Sequence, residues 1–396
     1  MPRAEGTVRL KATEDERIRG GHVWVYDNEI AGVEGDPADG AVVWVEDDRG
    51  RKLGTGFIDR QSVIAVRLLT RGSKRVFSAG DVEGLLAAAF GRRGSLRHDC
   101  LRLVNAEGDY MPGLIVDRYG DAVVVQAGLE GWKRTDVSAA VLGGITRLLS
   151  PRLLLFKQAS GTSRVEGSPP ACSPVEDGDP DATVWVREAD LEVKVDLVSG
   201  QKTGFYIDQR ENRKSILPYV DGARVLDCFC YSGIWSCMCA AAGADEVTGV
   251  DSSAPALALG RANAERNGLA DTVGFEEADV FDYLPGLARA REKYDVIILD
   301  PPSLARTRKQ VAGAMRGYIH INKVAMGLLR PGGILVTCSC SHHMTRERFM
   351  EMLRHTSGLV RRQASVMRVG GQPEDHISLL GAPETDYLKC VSLRIE

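Results

Sequence analysis

The feature that most constrains this chain is a series of apolar strands in its C-terminal half, several of which end on an aspartate. Arg224-Val225-Leu226-Asp227, Glu246-Val247-Thr248-Gly249-Val250-Asp251, Tyr294-Asp295-Val296-Ile297-Ile298-Leu299-Asp300 and Gly333-Ile334-Leu335-Val336-Thr337 are separated by spans of helical pattern. Near-continuous apolar strands are buried on both faces, so this order predicts a doubly wound α/β sheet covered by helices on both sides. Ligands of such sheets lie beyond the carboxyl ends of the strands. The carboxylates at those ends are therefore the first candidates for a binding site. No internal repeat or low-complexity tract breaks the pattern.

With 396 residues, two or three domains are expected. From Val8 to about Arg71, short alternating runs such as His22-Val23-Trp24-Val25-Tyr26 and Ala41-Val42-Val43-Trp44-Val45 lie between Gly, Asp and Pro clusters, which predicts a small β-barrel or sheet. Its aromatics Trp24, Tyr26 and Trp44, interleaved with Arg17, Arg19, Arg49, Arg51, Lys52 and Arg60, form the mixture with which RNA modules stack bases and hold phosphates. Core aromatics with a solvated charged rim are the equal alternative. A region from about Asp81 to Pro180 opens with a helical pattern and the basic string Arg92-Arg93-Gly94-Ser95-Leu96-Arg97. Strands at Gly113 to Asp117, Ala122 to Gln126 and Leu153 to Phe156, with a helix near Asp136 to Leu149, predict an α+β domain. The Pro, Gly, Ser and Asp of Glu166 to Asp181 predict a loop or linker.

Charge and cysteine usage narrow the function. Fifty Lys and Arg against 54 Asp and Glu leave a net charge of -4, so any nucleic-acid surface has to be local. The charged N-terminus lacks the apolar stretch of a secretory signal, and the uncharged run from Cys228 to Ala244 is too short for a spanning helix. No membrane role is expected. Nine cysteines, most of them in apolar segments of a chain too large to need staples, point to reduced thiols and a cytoplasmic protein.

Asp227 leads into Cys228-Phe229-Cys230-Tyr231-Ser232-Gly233, a tight turn whose glycine lets backbone approach a ligand. Asp251, ending the next strand, is placed to accept hydrogen bonds from the hydroxyls of a ribose. Together they suggest a nucleoside cofactor. The turn lacks the three-glycine fingerprint for a pyrophosphate, and no P-loop motif is present. A cofactor without phosphates, S-adenosylmethionine, fits, with Asp279 after a short strand to meet adenine and Asp300-Pro301-Pro302-Ser303 at the fourth strand end.

These residues carry a family resemblance. The Gly21 to Tyr26 segment, Gly204-Phe205-Tyr206-Ile207-Asp208-Gln209-Arg210, the Asp227 turn, Asp300-Pro301-Pro302 and Cys338-Ser339-Cys340-Ser341 make the chain similar to the PUA-domain class I methyltransferases that methylate C5 of cytosine in bacterial large-subunit rRNA. The resemblance implies a PUA domain over residues 1–75, a middle α+β domain over 76–185 and a Rossmann-like class I methyltransferase domain over 186–396. It implies that Tyr206, Asp208, Gln209 and Arg210, with Arg213 beyond them, lie over S-adenosylmethionine, whose carboxylate suits an arginine. Asp227, Phe229, Tyr231, Ser232, Gly233, Asp251, Asp279 and Asp300 would complete the cofactor site. It also implies rRNA as partner and Cys340 as nucleophile; whether the protein forms a homodimer is left open.

C5 of a pyrimidine is a poor nucleophile, and addition of a thiolate to C6 turns it into an enamine that can take a methyl group. Cys338 rivals Cys340, because strand alternation points residues two apart to the same side. Without the resemblance, either cysteine reads as a small core residue. Asp300 is the candidate for contacting N3 of cytosine, as a protonated donor or as an orienting group. Ser303 follows the two prolines where enzymes acting on exocyclic amines often carry an aromatic, which argues against that reaction. The base has to be flipped out or unpaired. Arg306-Thr307-Arg308-Lys309-Gln310 offers cations to nearby phosphates, with a solvated helix as the even alternative. The adjacent His342 and His343 lack the spacing of a zinc site, so no metal is expected. Uracil-C5 methylation and a catalytically silent RNA-binding assembly factor are the competing functions.

Overall fold

The computed structural model describes residues 3–72, 75–158, 161–165, 172–174, 182–305 and 308–396. The chain forms two units: Met1–Val186 with Asp196–Phe205 and Glu374–Thr385, and Arg187–Val195 with Tyr206–Pro373 and Asp386–Glu396.

The first unit holds two sheets. Strands β1 (Gly6–Leu10), β2 (Trp24–Tyr26), β3 (Ile30–Glu34), β4 (Val42–Glu46), β5 (Lys52–Ile58) and β6 (Ile64–Arg71) pair in the order β2-β6-β5-β4-β1-β3, antiparallel except for β1 beside β4. The alternation seen in sequence is the packing pattern: Val8, Leu10, Val43, Val45, Val66 and Leu68 point into one buried cluster. A short helix, α1 (Glu16–Arg19), joins β1 to β2. Glycine is required at position 54, where a Cβ would stand 2.0 Å from the carbonyl of Thr70 on β6.

The second sheet runs β7 (Cys100–Asn105), β8 (Leu114–Tyr119), β9 (Ala122–Ala127), β10 (Leu153–Gln158), β11 (Gly161–Val165) and β12 (Cys172–Pro174), each paired with its sequence neighbour. Only β9 and β10 are parallel, and the helix α4 (Thr135–Leu149), after the short α3 (Glu130–Lys133), supplies their crossover. With α2 (Val82–Arg92), α4 packs Leu86, Val141, Leu142 and Ile145 into the core. Cys172–Pro174 was expected to be loop and is instead a strand; its proline is tolerated because β12 is at the sheet edge. The rest of the expected linker, except for residues 172–174, lies outside the described residues. The basic string after α2 is partly internal: Arg92 and Arg93 both bond Asp109 at 2.6 Å.

A hairpin of β13 (Thr183–Glu188) and β14 (Leu191–Asp196) precedes the second unit's main sheet in sequence. That sheet comprises β15 (Arg224–Cys228), β16 (Glu246–Asp251), β17 (Val273–Glu277), β18 (Tyr294–Leu299), β19 (Leu329–Ser339), β20 (Ala364–Gly370) and β21 (Lys389–Ile395). Its order is β17-β16-β15-β18-β19-β21-β20, parallel from β17 to β19, with β21 antiparallel to both neighbours. Helices α5 (Arg210–Ile216), α6 (Ile234–Ala241), α7 (Ala254–Arg266), α8 (Val280–Ala290), α9 (Val311–Leu328) and α10 (Arg346–Val360) supply the connections. Local chemistry sets where several begin: Ser253, Asp279 and Thr345 each accept a backbone N–H in the first turn of α7, α8 and α10. Strand order reverses between β15 and β18, which is the switch point where such sheets take ligands. Among the described residues no helix is long and apolar enough to cross a membrane.

Candidate active site

Sheet register brings the expected residues to one edge. Cys228 pairs with Leu299, and Leu299 pairs with Thr337, so Asp227, Asp300 and the residues after Thr337 leave the sheet together. The backbone N–H of Asp300 donates to the carbonyl of Cys228 at 3.3 Å. In the turn after β15, Phe229, Tyr231 and Gly233 have φ of 62°, 50° and 68°. Such left-handed backbone is costly for the two aromatics and persists where surroundings enforce it. Asp251 is one enforcer: its Oδ2 accepts the Tyr231 N–H at 3.0 Å and its Oδ1 the Ser253 N–H at 2.9 Å. Gly233 also answers a close approach, since a Cβ there would lie 2.6 Å from the ring of Phe275.

Asp227 is fully buried, and its Oδ2 accepts the Ser236 hydroxyl at 2.6 Å. Burial pushes its carboxyl up to about 7 against that hydrogen bond, with the charges of Asp300 and Asp251 adding to the rise. Its Oδ1 and the buried hydroxyl of Ser232 have no hydrogen-bond partner among the described residues. The cysteines around this turn are sealed: burial first, and then the charge of Asp227, drives up the thiols of Cys228, Cys230, Cys237 (to about 12) and Cys239. Thiolates are disfavoured there, so these cysteines are inert.

The two cysteines at the end of β19 differ. Cys338 is fully buried opposite Cys390 of β21, and burial together with that neighbour pushes its thiol well up. Cys340 follows the last residue of the strand and is partly exposed. Asp300 accepts the side-chain amide of Gln209 on Oδ1 at 2.9 Å and the indole N–H of Trp235 on Oδ2 at 3.3 Å. Burial raises the Tyr206 hydroxyl, and the charges of Asp300, Cys340 and Asp208 raise it further, so these four groups share one electrostatic environment. The Tyr206 ring meets Tyr231 edge-on at 5.5 Å, and the Tyr387 hydroxyl donates to Asp208 at 2.6 Å. The Tyr206 to Arg210 segment is thus tied to the turn after β15 and to the mouth of β18. Lys389, at the start of β21, donates to the carbonyls of Ser341 at 2.8 Å and Tyr387 at 2.7 Å. Trp235 and Lys389 were missed in sequence. The first reads as a core aromatic of a helix, and the second lies on a strand whose polar and apolar residues are mixed.

Several expectations need correction. Arg213 does not stand open toward a ligand: it is buried, pairs with Glu188 at 2.6 Å and donates to the Tyr206 carbonyl at 3.0 Å. Arg210, also buried, lies 3.6 Å from Glu211. Asp279 is the outlier among the carboxylates; it caps α8 and lines a cavity of about 590 Å³ that touches none of the other expected residues. The supposed phosphate contacts of the N-terminal sheet are mostly paired: Arg17 with Glu29 at 3.1 Å, Arg19 with Asp15 and Asp47, Arg51 with Asp47 at 2.5 Å and Arg60 with Asp36 at 2.6 Å. Two of the aromatics there carry cations, Arg17 over Tyr26 at 4.7 Å and Lys52 over Trp44 at 3.9 Å. Trp24 donates to Glu107 at 3.0 Å. Of the basic segment after Asp300, Arg306 and Thr307 lie outside the described residues, as does the side chain of Arg308.

A family model described as an S-adenosylmethionine-dependent methyltransferase matches residues 165–367, and one described as a PUA-like domain matches residues 8–71. Curated relatives include "Ribosomal RNA large subunit methyltransferase I" of Shewanella denitrificans, 36% identical over 98% of this chain and 99% of its own. The protein of the same name from Photobacterium profundum is 35% identical over 97% and 98%. The chain belongs to the S-adenosylmethionine-dependent methyltransferases. Solved structures agree on the fold: a chain described as a SAM-dependent methyltransferase from Streptococcus mutans superposes with a TM-score of 0.84 at 20% identity, covering 98% of this chain and 99% of that one. Another, complexed with SAH, reaches 0.85 at 22% identity with the same coverage.

The methyltransferase's crevice fits its cofactor. The unpartnered Asp227 Oδ1 and Ser232 hydroxyl are buried polar atoms of the kind a ligand completes. Asp251 accepts one N–H on each oxygen and so keeps lone pairs for ribose hydroxyls. Tyr206, edge-on to Tyr231, and Gln209, bonded to Asp300, adjoin the same turn and strand end.

Proposed function

We propose that this methyltransferase transfers a methyl group to C5 of a cytosine in large-subunit ribosomal RNA through a covalent bond between Cys340 and C6 of the base. The observation that carries the reading is the contrast at the end of β19: one sealed thiol, Cys338, and one partly exposed thiol, Cys340, sharing its surroundings with Asp300 and Tyr206. The curated relatives' name supports ribosomal RNA as substrate, and the PUA-like module supports RNA binding.

The Cys340 thiolate adds to C6, the electrons of the C5–C6 double bond shift to C4–C5 as an enamine, and N3 takes up a proton. Bound S-adenosylmethionine supplies a methyl group on a positively charged sulfur. C5 would take the methyl as the methyl–sulfur bond breaks and its electron pair stays on the cofactor's sulfur; a base then removes the C5 proton, the C5–C6 double bond reforms, the thiolate leaves and N3 gives back its proton. Asp300 orients the ring. Both of its oxygens accept N–H donors, as those of a carboxylate do. A carboxylate with lone pairs to spare matches the N4 amino group of cytosine and repels the O4 of uracil. Flipping places the base within reach of both residues. We keep the division into 1–75, 76–185 and 186–396 and a cytoplasmic location as part of this reading. Separate buried clusters among the described residues support the division, although Val42, Phe57 and Leu69 of the N-terminal sheet pack into the cluster of the second sheet.

The test is nucleoside mass spectrometry of unmodified large-subunit rRNA after incubation with enzyme and S-adenosylmethionine. The expected product is 5-methylcytidine. Formation of 5-methyluridine would overturn the cytosine assignment, and a folded protein that does not bind the cofactor by calorimetry would turn the reading toward an assembly factor.

A further inference from the structure

Lys389 is placed about Cys340 on both sides. Its backbone pairs with Ser339, the residue before Cys340, while its ammonium bonds the carbonyl of Ser341, the residue after it. A second bond reaches the carbonyl of Tyr387, whose hydroxyl holds Asp208. Lys389 is 2% exposed, and it makes no ion pair among the described residues. Two neutral carbonyls take two of its three N–H groups and leave its charge uncompensated. A buried ammonium in that state is costly and calls for an anion nearby.

We propose that Lys389 is a positioning residue for the Cys340 nucleophile: it clamps the backbone around the thiol and stabilises the thiolate with its positive charge. This rests on the assignment of Cys340 as nucleophile. Burial brings the Lys389 ammonium down to about 8, and the charge opposing that most strongly is the Cys340 thiolate, ahead of Asp386, while Arg346 of α10 adds to the lowering. Other titratable groups around the pair include Tyr206 and Asp208 before α5, Asp300 after β18, Tyr318 of α9, His342 with Tyr387 beside it, and the buried thiols of Cys338 and Cys390. Tyr206 and Tyr318 are both held above their ordinary values, first by burial, and so stay neutral near pH 7. Asp300 and Asp208 disfavour a second anion. Lys389 is a buried cation that offsets them at the thiol, while the exposed end of Arg346 binds Gly370 and Asp386.

The experiment is iodoacetamide alkylation of the full-length protein from pH 6 to 10, with the Cys340 peptide quantified by mass spectrometry. Lys389→Met is expected to slow alkylation of Cys340 at pH 7 about tenfold and to move its midpoint up by roughly one unit. Lys389→Arg should restore most of the rate; Lys389→Gln, which keeps a hydrogen-bond donor without the charge, should not. An unchanged profile in Met and Gln, or an equal shift in all three variants, overturns the proposal. If the variants do not fold, thiolate absorbance of the native protein minus that of Cys340→Ser decides: a midpoint below about 8.5 is expected, and one at or above it overturns the proposal. Failure of the parent reading looks different, because normal Lys389-dependent alkylation without any adduct to modified RNA would remove the cytosine mechanism and leave the thiol activation standing.

Discussion

The second sheet of the first unit and the crevice of the second unit both bury charge, and they complete it to different degrees. Arg93 is fully enclosed, and all five of its N–H groups are engaged, by the Asp109 carboxylate and by the carbonyls of Ala89, Arg102 and Asp375. Arg102 meets Asp117 with two parallel bonds of 2.8 and 2.9 Å, and Thr203 donates to the same carboxylate. In the crevice, among the described residues, Asp227 keeps one oxygen without a partner, Ser232 a hydroxyl, and Lys389 a charge without an ion pair. A saturated network holds architecture in place; an unsaturated one marks where a ligand or a reacting group finishes the bonding.

The largest effect expected falls on the unsaturated side. Cys340→Ala should reduce methyl transfer by more than about a thousandfold in initial-rate assays, while leaving the urea midpoint unchanged, because the side chain is partly exposed. On the saturated side, Asp109→Ala should cost about 3–5 kcal/mol in urea unfolding, since it strands a buried guanidinium. For Asp109→Ala, an effect on rate without an effect on stability would break the comparison. Asp300→Asn comes next, with a loss of about a hundredfold in kcat/KM and a smaller preference for cytosine over uracil in competing RNA substrates.

Asp227 gives the comparison a pH axis. Its folded-state pKa of about 7 lies above the ordinary carboxylate value, so the folded protein holds the proton more tightly than the unfolded chain. The stability this contributes is fully present below about pH 4 and is lost as the pH rises through 7. Asp227→Asn removes the dependence and keeps an acceptor for Ser236. In urea titrations the variant should gain on the native protein by on the order of 1 to 2 kcal/mol between pH 5 and 8. The smallest effect is expected of Ser232→Ala: stability within about 0.5 kcal/mol of the native protein, and S-adenosylmethionine affinity lowered roughly three- to tenfold by calorimetry.

The parallel core of the second unit was legible because its strands are apolar runs closed by aspartates, and Asp227, Asp251 and Asp300 do reach one edge of the sheet. β7, β20 and β21 were not. β7 buries Arg102 and Asn105, whose polarity hides a core strand until Asp117 is seen opposite, and β21 begins with a buried lysine. Pairing was the harder matter. Arg213 carries the charge a carboxylate ligand would want, yet Glu188, distant in sequence, already holds it. The same is true of Arg19, Arg51 and Asp47 in the N-terminal sheet. Residue type shows which charges exist; which of them remain open depends on contacts between segments far apart in the chain.

The central claim, that Cys340 is the attacking thiol, is tested most directly with RNA bearing 5-fluorocytidine. Fluorine cannot leave C5 as the proton does, so the adduct should persist through denaturation and map by peptide mass spectrometry to Cys340. It should be absent from Cys340→Ala and present in Cys338→Ala. An adduct that survives in Cys340→Ala, or that maps to Cys338, would contradict the account.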